Sequence, residues 1–147
     1  MRMLFALMLL VGLVQAGAML PGPTRAEPAI AAEDRAAMTA VISDQMAAFQ
    51  RDDGDAAFAF AAPEIQMQFG TPEAFMTMVR RGYAPVYRPQ SVEFQAPEHR
   101  ADRPVVPVIV GAPDGHLVRA LYTMRQLDDG SWRIAGCTLE RLPDMGV

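Results

Sequence analysis

Two periodicities divide this chain. From Glu33 to Arg51 the apolar residues Met38, Val41, Ile42, Met46 and Phe49 recur at the i, i+3, i+4 spacing of one helical stripe. Asp34 is the expected N-cap, and Asp52-Asp53-Gly54 the stop, with Gly54 free to turn left-handed. Asp55 then caps a short second helix that carries Phe58 and Phe60 and ends by Pro63. Ile65-Gln66-Met67-Gln68-Phe69 alternates as a strand would, yet Ile65 and Phe69 also share one face of a helical turn, so both readings stand. Thr71-Pro72-Glu73 is a helix start, with a threonine cap, a proline at the first helical position and an acid in the first turn; this helix ends at Arg80-Arg81-Gly82.

Beyond Pro89 the period becomes two and β-branched residues dominate. Strands are expected over 92–95, 105–110, 116–127 and 131–142, the last three joined by turns at Pro113-Asp114-Gly115 and Asp128-Asp129-Gly130. Pro104 and Pro107 place the second of these strands at a sheet edge or on a bulge, since proline cannot donate to a ladder. Helices followed by an antiparallel meander of about four strands predict an α+β domain, with the helices on one face of a curved sheet.

The N-terminus changes the picture of what folds. Arg2 is followed by an apolar run from Leu4 to Val14, too short for the roughly 20 residues of helix that cross a bilayer. Small residues and prolines follow, the pattern of a secretory signal peptide. Cleavage is expected after Ala26, with Ala16-Gly17-Ala18 as the competing site, leaving residues 27–147 as one domain in the periplasm or outside the cell. An uncleaved anchor is the other reading of the same apolar run. No cysteine follows that run and no paired arginines precede it, which favours the general secretory route.

All 13 basic residues are arginines and two lie in 1–26, so the remainder sets eleven against 17 acids, a net charge near −6. An acidic domain without a basic cluster is a poor partner for nucleic acid. Lysine is absent throughout, which excludes Schiff-base catalysis and a P-loop. The single cysteine, Cys137, cannot form an intrachain disulfide and sits in an apolar, strand-like setting as a buried small side chain.

Several stretches resemble a bacterial family of small exported proteins, DUF4864, within the NTF2-like (cystatin-like) superfamily. They are Val41-Ile-Ser-Asp-Gln45-Met-Ala-Ala-Phe49, Ala57-Phe-Ala-Phe60, Phe69-Gly-Thr-Pro-Glu73, Met78-Val-Arg-Arg-Gly-Tyr-Ala-Pro-Val-Tyr-Arg-Pro89 and Gly130-Ser-Trp-Arg-Ile134, together spanning roughly 37–142. The segment from Met78 to Pro89 is the most specific of them. The resemblance implies a cone in which a bent sheet wraps the long first helix, and an exported, mostly proteobacterial context. It implies no activity.

Gln45 is the first candidate, because it lies in the middle of the Met38, Ile42, Phe49 stripe, where an unpaired buried amide costs about 1–3 kcal/mol. It is either a structural residue bonded to backbone or a polar group facing a pocket. Tyr83, Tyr87 and Arg88 lie on the proline-stiffened junction of the two halves and are expected to line the pocket mouth, or else to cover the core end and pair with a surface acid. Tyr122 and Trp132 are expected in the core. Asp52-Asp53-Gly54-Asp55 is incomplete as a calcium loop, and the methionines form no dedicated metal cluster. Asp44 falls on the solvent side of its helix, His99 in a polar loop and His116 just after a turn, so no general base is placed inside. The expectation is a module without cofactor or metal that binds a small, partly apolar molecule or a protein at Gln45, Tyr83, Tyr87 and Arg88. A cofactor-free lyase or isomerase and a homodimeric interaction module are the alternatives.

Overall fold

A computed structural model of the protein describes Gly22 and residues 28–143, and the proposed signal segment, apart from Gly22, lies outside the described residues. Five helices come first: α1 (Ala32–Gln50), α2 (Gly54–Ala59), α3 (Pro63–Phe69), α4 (Pro72–Gly82) and α5 (Ala84–Tyr87). Five strands follow: β1 (Ser91–Phe94), β2 (Glu98–Arg100), β3 (Arg103–Gly111), β4 (Leu117–Gln126) and β5 (Trp132–Arg141). The sheet is antiparallel in the order β1-β3-β4-β5, with β2 pairing β3 on the side that β1 occupies. The domain is therefore α+β, with the helices packed against an open sheet. No described helix is long and apolar enough to cross a membrane.

The core forms where the α1 stripe meets one face of the sheet. Met38, Ile42, Met46 and Phe49 pack with Val106, Val108 and Val110 of β3, with Ala120, Tyr122 and Met124 of β4 and with Ile134 of β5. The alternation in β3 and β4 is the pleat, which sends every second residue to that face.

Several sequence expectations are corrected. The sheet has five strands instead of about four, because Glu98–Arg100, including His99, forms β2. β3 is interior and unbulged. Pro107 points its backbone toward the gap between β1 and β2, where its carbonyl accepts from the Gln95 amide at 2.9 Å. Pro104 faces the β4 side one residue beyond the first ladder pair, Val105 with Thr123. Both prolines thus stand where no donor is required. The register irregularity lies instead between β4 and β5, where Thr123 pairs Gly136 but Met124 pairs Ile134, leaving Ala135 as the extra residue.

Residues 65–69 are helical. Pro63 opens α3, Ile65 and Phe69 share its inner face, and Gly70 ends it at φ 76°, a conformation that favours glycine. The edge of β5 is met by the segment before α3. Ala61 bridges Ile134 in parallel, and the Ala62 amide donates to the Ile134 carbonyl at 2.8 Å.

The caps also differ. α1 begins after Ala31, and Asp34 instead accepts from the Trp132 indole at 3.2 Å, tying the first turn of α1 to β5. Asp52 takes the left-handed turn (φ 54°), which Asp tolerates better than most side chains. Asp53, not Asp55, caps α2 through the Ala56 amide. Gly54 has a packing role, since a Cβ there would lie 3.0 Å from Met76 Cγ of α4.

Candidate functional site

A cavity of about 380 Å³ lies between the helices and the inner face of β4 and β5. α1 contributes Gln45 and Phe49, α3 contributes Ile65, Gln68 and Phe69, and α4 contributes Phe75, Met78 and Val79. Tyr83 and Val86 close one side, and Tyr122, Ile134, Gly136 and Cys137 form the sheet wall. Phe75 stands at the centre of the aromatic packing, 5.4 Å from the Phe58 ring and 5.7 Å from Phe69. Gln68 is the exposed residue of the lining and marks the side open to solvent.

The polar groups in this lining are few and all uncharged. Gln45 is 3% exposed and is the one buried polar or charged residue among those described. Its Nε2 donates to the Ala57 carbonyl at 3.1 Å, which fixes which end of the amide is nitrogen. Its Oε1 receives no hydrogen bond among the described residues. Tyr83 donates from its hydroxyl to the Cys137 carbonyl at 3.0 Å, fastening the α4–α5 junction to β5. Tyr122 is fully enclosed, and its hydroxyl is buried without a hydrogen-bond partner among the described residues. It faces the Cys137 thiol across the β4–β5 pair, a contact short of hydrogen-bond geometry.

Burial sets the protonation of this wall. It pushes the Cys137 thiol up to about 12 and the Tyr122 hydroxyl well above the usual phenol range, with the thiol adding to the latter. Burial also raises Tyr83. All three groups are therefore neutral near pH 7. Cys137 belongs to the cavity wall, a partly buried residue packed against the core, with burial the main cause of its raised thiol.

Of the four candidate binding residues, Gln45 and Tyr83 come together in the cavity wall. Tyr87 and Arg88 are placed elsewhere, at the C-terminus of α1. The Tyr87 hydroxyl donates to Asp52 Oδ1, and Arg88 Nη2 reaches Asp52 Oδ2 at 2.9 Å. Arg88 stacks on the Tyr87 ring at 3.9 Å and donates through Nη1 to the Phe49 carbonyl at the end of α1, which also accepts from the Asp52 amide at 3.0 Å. Arg80 completes the cluster 3.5 Å from Asp52 Oδ1. The Tyr87 hydrogen bond, followed by the Arg88 charge, holds the Asp52 carboxyl below its usual value. This cluster explains in physical terms why Arg80, Tyr83, Tyr87 and Arg88 occur in one short segment: each bonds to an element that the segment must be held against.

No Asp, Glu or His lines the cavity. Asp44 is exposed, His99 lies on β2 and His116 follows the β3–β4 turn beside Asp114. A second recess, of about 360 Å³, holds Asp52, Asp53, Asp55, Glu73 and Arg80, but no described group of three or more acids, histidines or cysteines is arranged to hold a metal. Sequence reasoning did not assign Ile65, Phe69, Phe75, Met78, Val79, Tyr122 or Cys137 to a site. The i, i+4 spacing of Ile65 and Phe69 and the inward register of Tyr122 were the available signals.

The profile of a family described as a domain of unknown function, DUF4864, matches residues 31–147. No curated protein matches the chain. Among solved structures, Aln2 from a Streptomyces species is 18% identical with a TM-score of 0.48, over 78% of this chain and 94% of that one. A likeness of that strength carries no argument about what this chain does.

Proposed function

Since the chain belongs to the DUF4864 family, of unknown function, we propose that it is an exported, non-enzymatic module that holds a small, largely apolar molecule between its helices and its sheet. The observation that carries this reading is the cavity itself: about 380 Å³, walled chiefly by Phe49, Ile65, Phe69, Phe75, Met78 and Val79, with Gln45 as a polar group in the wall. Small-molecule sites have this character, an apolar recess of about 300–1,000 Å³ with a few polar groups that orient the occupant. Tyr83 serves the site by fastening one wall to β5. Tyr87 and Arg88 serve it indirectly, by holding the junction that carries Tyr83 and Val86 onto the end of α1.

Export rests on Arg2, the apolar run to Val14 and the small residues before Glu27. The order of helices before an antiparallel sheet supports an NTF2-like cone. The lyase or isomerase reading is less well supported, because the lining offers no carboxylate or imidazole to act as a base. Native mass spectrometry on protein recovered from the periplasm without refolding tests the binding reading. A discrete adduct of a few hundred daltons that leaves on denaturation is expected; a bare chain in every preparation would refute it.

A further inference from the structure

The cavity wall contains two polar groups whose hydrogen-bonding capacity the fold does not use, and the accessible one limits the chemistry of what fits. This inference rests on the reading of the cavity as a small-molecule site. The first group is Gln45 Oε1. The amide nitrogen is committed to the Ala57 carbonyl, so the oxygen is directed away from that bond, and no described donor reaches it. Gln45 lines the cavity, so a donor on an occupant can meet this oxygen in place of water. The second is the Tyr122 hydroxyl, buried, neutral and unpartnered on the sheet wall of the same cavity. That oxygen is sealed behind the cavity surface, so it offers an occupant no ready hydrogen bond.

The third constraint is electrostatic. No arginine, aspartate, glutamate or histidine lines the cavity, and Arg88 is bound to Asp52 and Phe49 outside it. A charged group placed at the inner end, beside Gln45, would lose its hydration without gaining a counter-charge, which is heavily unfavourable in an apolar recess.

We infer that the cavity selects a neutral molecule with an apolar, ring-sized body and a hydroxyl or N–H group that donates to Gln45 Oε1. Carboxylates, phosphates and amines are rejected by the absence of a counter-charge. Gln45 is thereby both a structural tie to α2 and the residue that specifies the ligand.

Three para-substituted probes of one shape test this: para-tert-butylphenol, which donates; para-tert-butylanisole, its methyl ether, which cannot; and para-tert-butylbenzoate, which is charged. Each is titrated into the folded protein while the methyl signals of Ile65, Met78, Val79 and Ile134 are followed by NMR. The phenol is expected to bind about two- to tenfold more tightly than the ether, the range of one neutral hydrogen bond. The benzoate is expected to leave the lining signals unmoved. Gln45→Met, which keeps length but removes the acceptor, should bring the phenol to the affinity of the ether. If the ether binds as well as the phenol to the wild-type chain, the assigned role of Gln45 is wrong while the cavity remains a binding site. If the benzoate binds best, neutrality is wrong. If no probe moves the lining signals, the binding reading itself falls and this inference with it. The wild-type series needs no substitution, so a poorly folding Gln45→Met variant would not spare the proposal.

Discussion

A phenol hydroxyl sealed in an apolar wall without a partner opposes folding, so Tyr122 is retained at a cost that its packing alone does not require. Tyr122→Phe keeps the ring and removes the unsatisfied group. Stability to urea is expected to stay level or to rise by up to about 1 kcal/mol. A loss beyond about 2 kcal/mol would mean that the hydroxyl has a partner in solution. Gln45 behaves oppositely. Gln45→Leu strands the Ala57 carbonyl and is expected to cost about 1–3 kcal/mol in the same measurement. Cys137 sets a pH dependence. Burial raises its thiol to about 12 in the folded chain against 9.0 when exposed, so the unfolded state loses its proton first. Stability should therefore be complete below pH 9 and fall as the pH rises toward 12. Urea midpoints at pH 8, 9 and 10 should show that decline, and Cys137→Ser should make it shallower. Of these three residues, Gln45 was legible in the sequence because one polar side chain interrupts an apolar stripe. Tyr122 read only as core, because nothing local distinguishes a packed tyrosine from one beside a void.

The elements were legible in kind and less so at their ends. In Asp52-Asp53-Gly54-Asp55 any of the acids can cap and either Asp52 or Gly54 can turn left-handed; the choice is made by distant residues. Met76 crowds the site where Gly54 sits, and Tyr87 and Arg88 hold Asp52 in the turn. Those partners are more than 20 residues away in sequence, which is why local punctuation misassigned the caps. The same reasoning predicts what Arg88 does. Its guanidinium donates to the Phe49 carbonyl at the C-terminus of α1 and pairs with Asp52, and Arg88→Ala is expected to lower stability by about 0.3–1 kcal/mol, read as a shift in denaturant midpoint without a change in slope. Because Asp52 is held below its usual carboxyl value, its contribution is present above pH 3.8 and is lost as the pH falls further. Asp52→Asn should flatten that acid limb.

For the whole molecule, period-two and period-3.6 patterns were enough to order helices before sheet, because burial of one face is a local demand repeated along the chain. β2 escaped notice since a three-residue strand is too short to show a period. A pocket at Gln45 and Tyr83 was expected, but most of its lining escaped because the wall is assembled from α1, α3, α4 and two strands, and no stretch of sequence encodes a void between them. Export is a property of the first 26 residues and is read by expressing the full chain in a Gram-negative host and sequencing the mature N-terminus. Glu27 is expected as the first residue, whereas retention of Met1 in the cytoplasm would overturn the export proposal. The central claim concerns the space between helices and sheet. A crystal structure of protein purified from the periplasm without refolding tests it most directly. Continuous density for a compact molecule among Phe49, Phe69 and Val79, ending within hydrogen-bond distance of Gln45 Oε1, is the expected result; a cavity collapsed onto its own side chains or filled with water alone would contradict it.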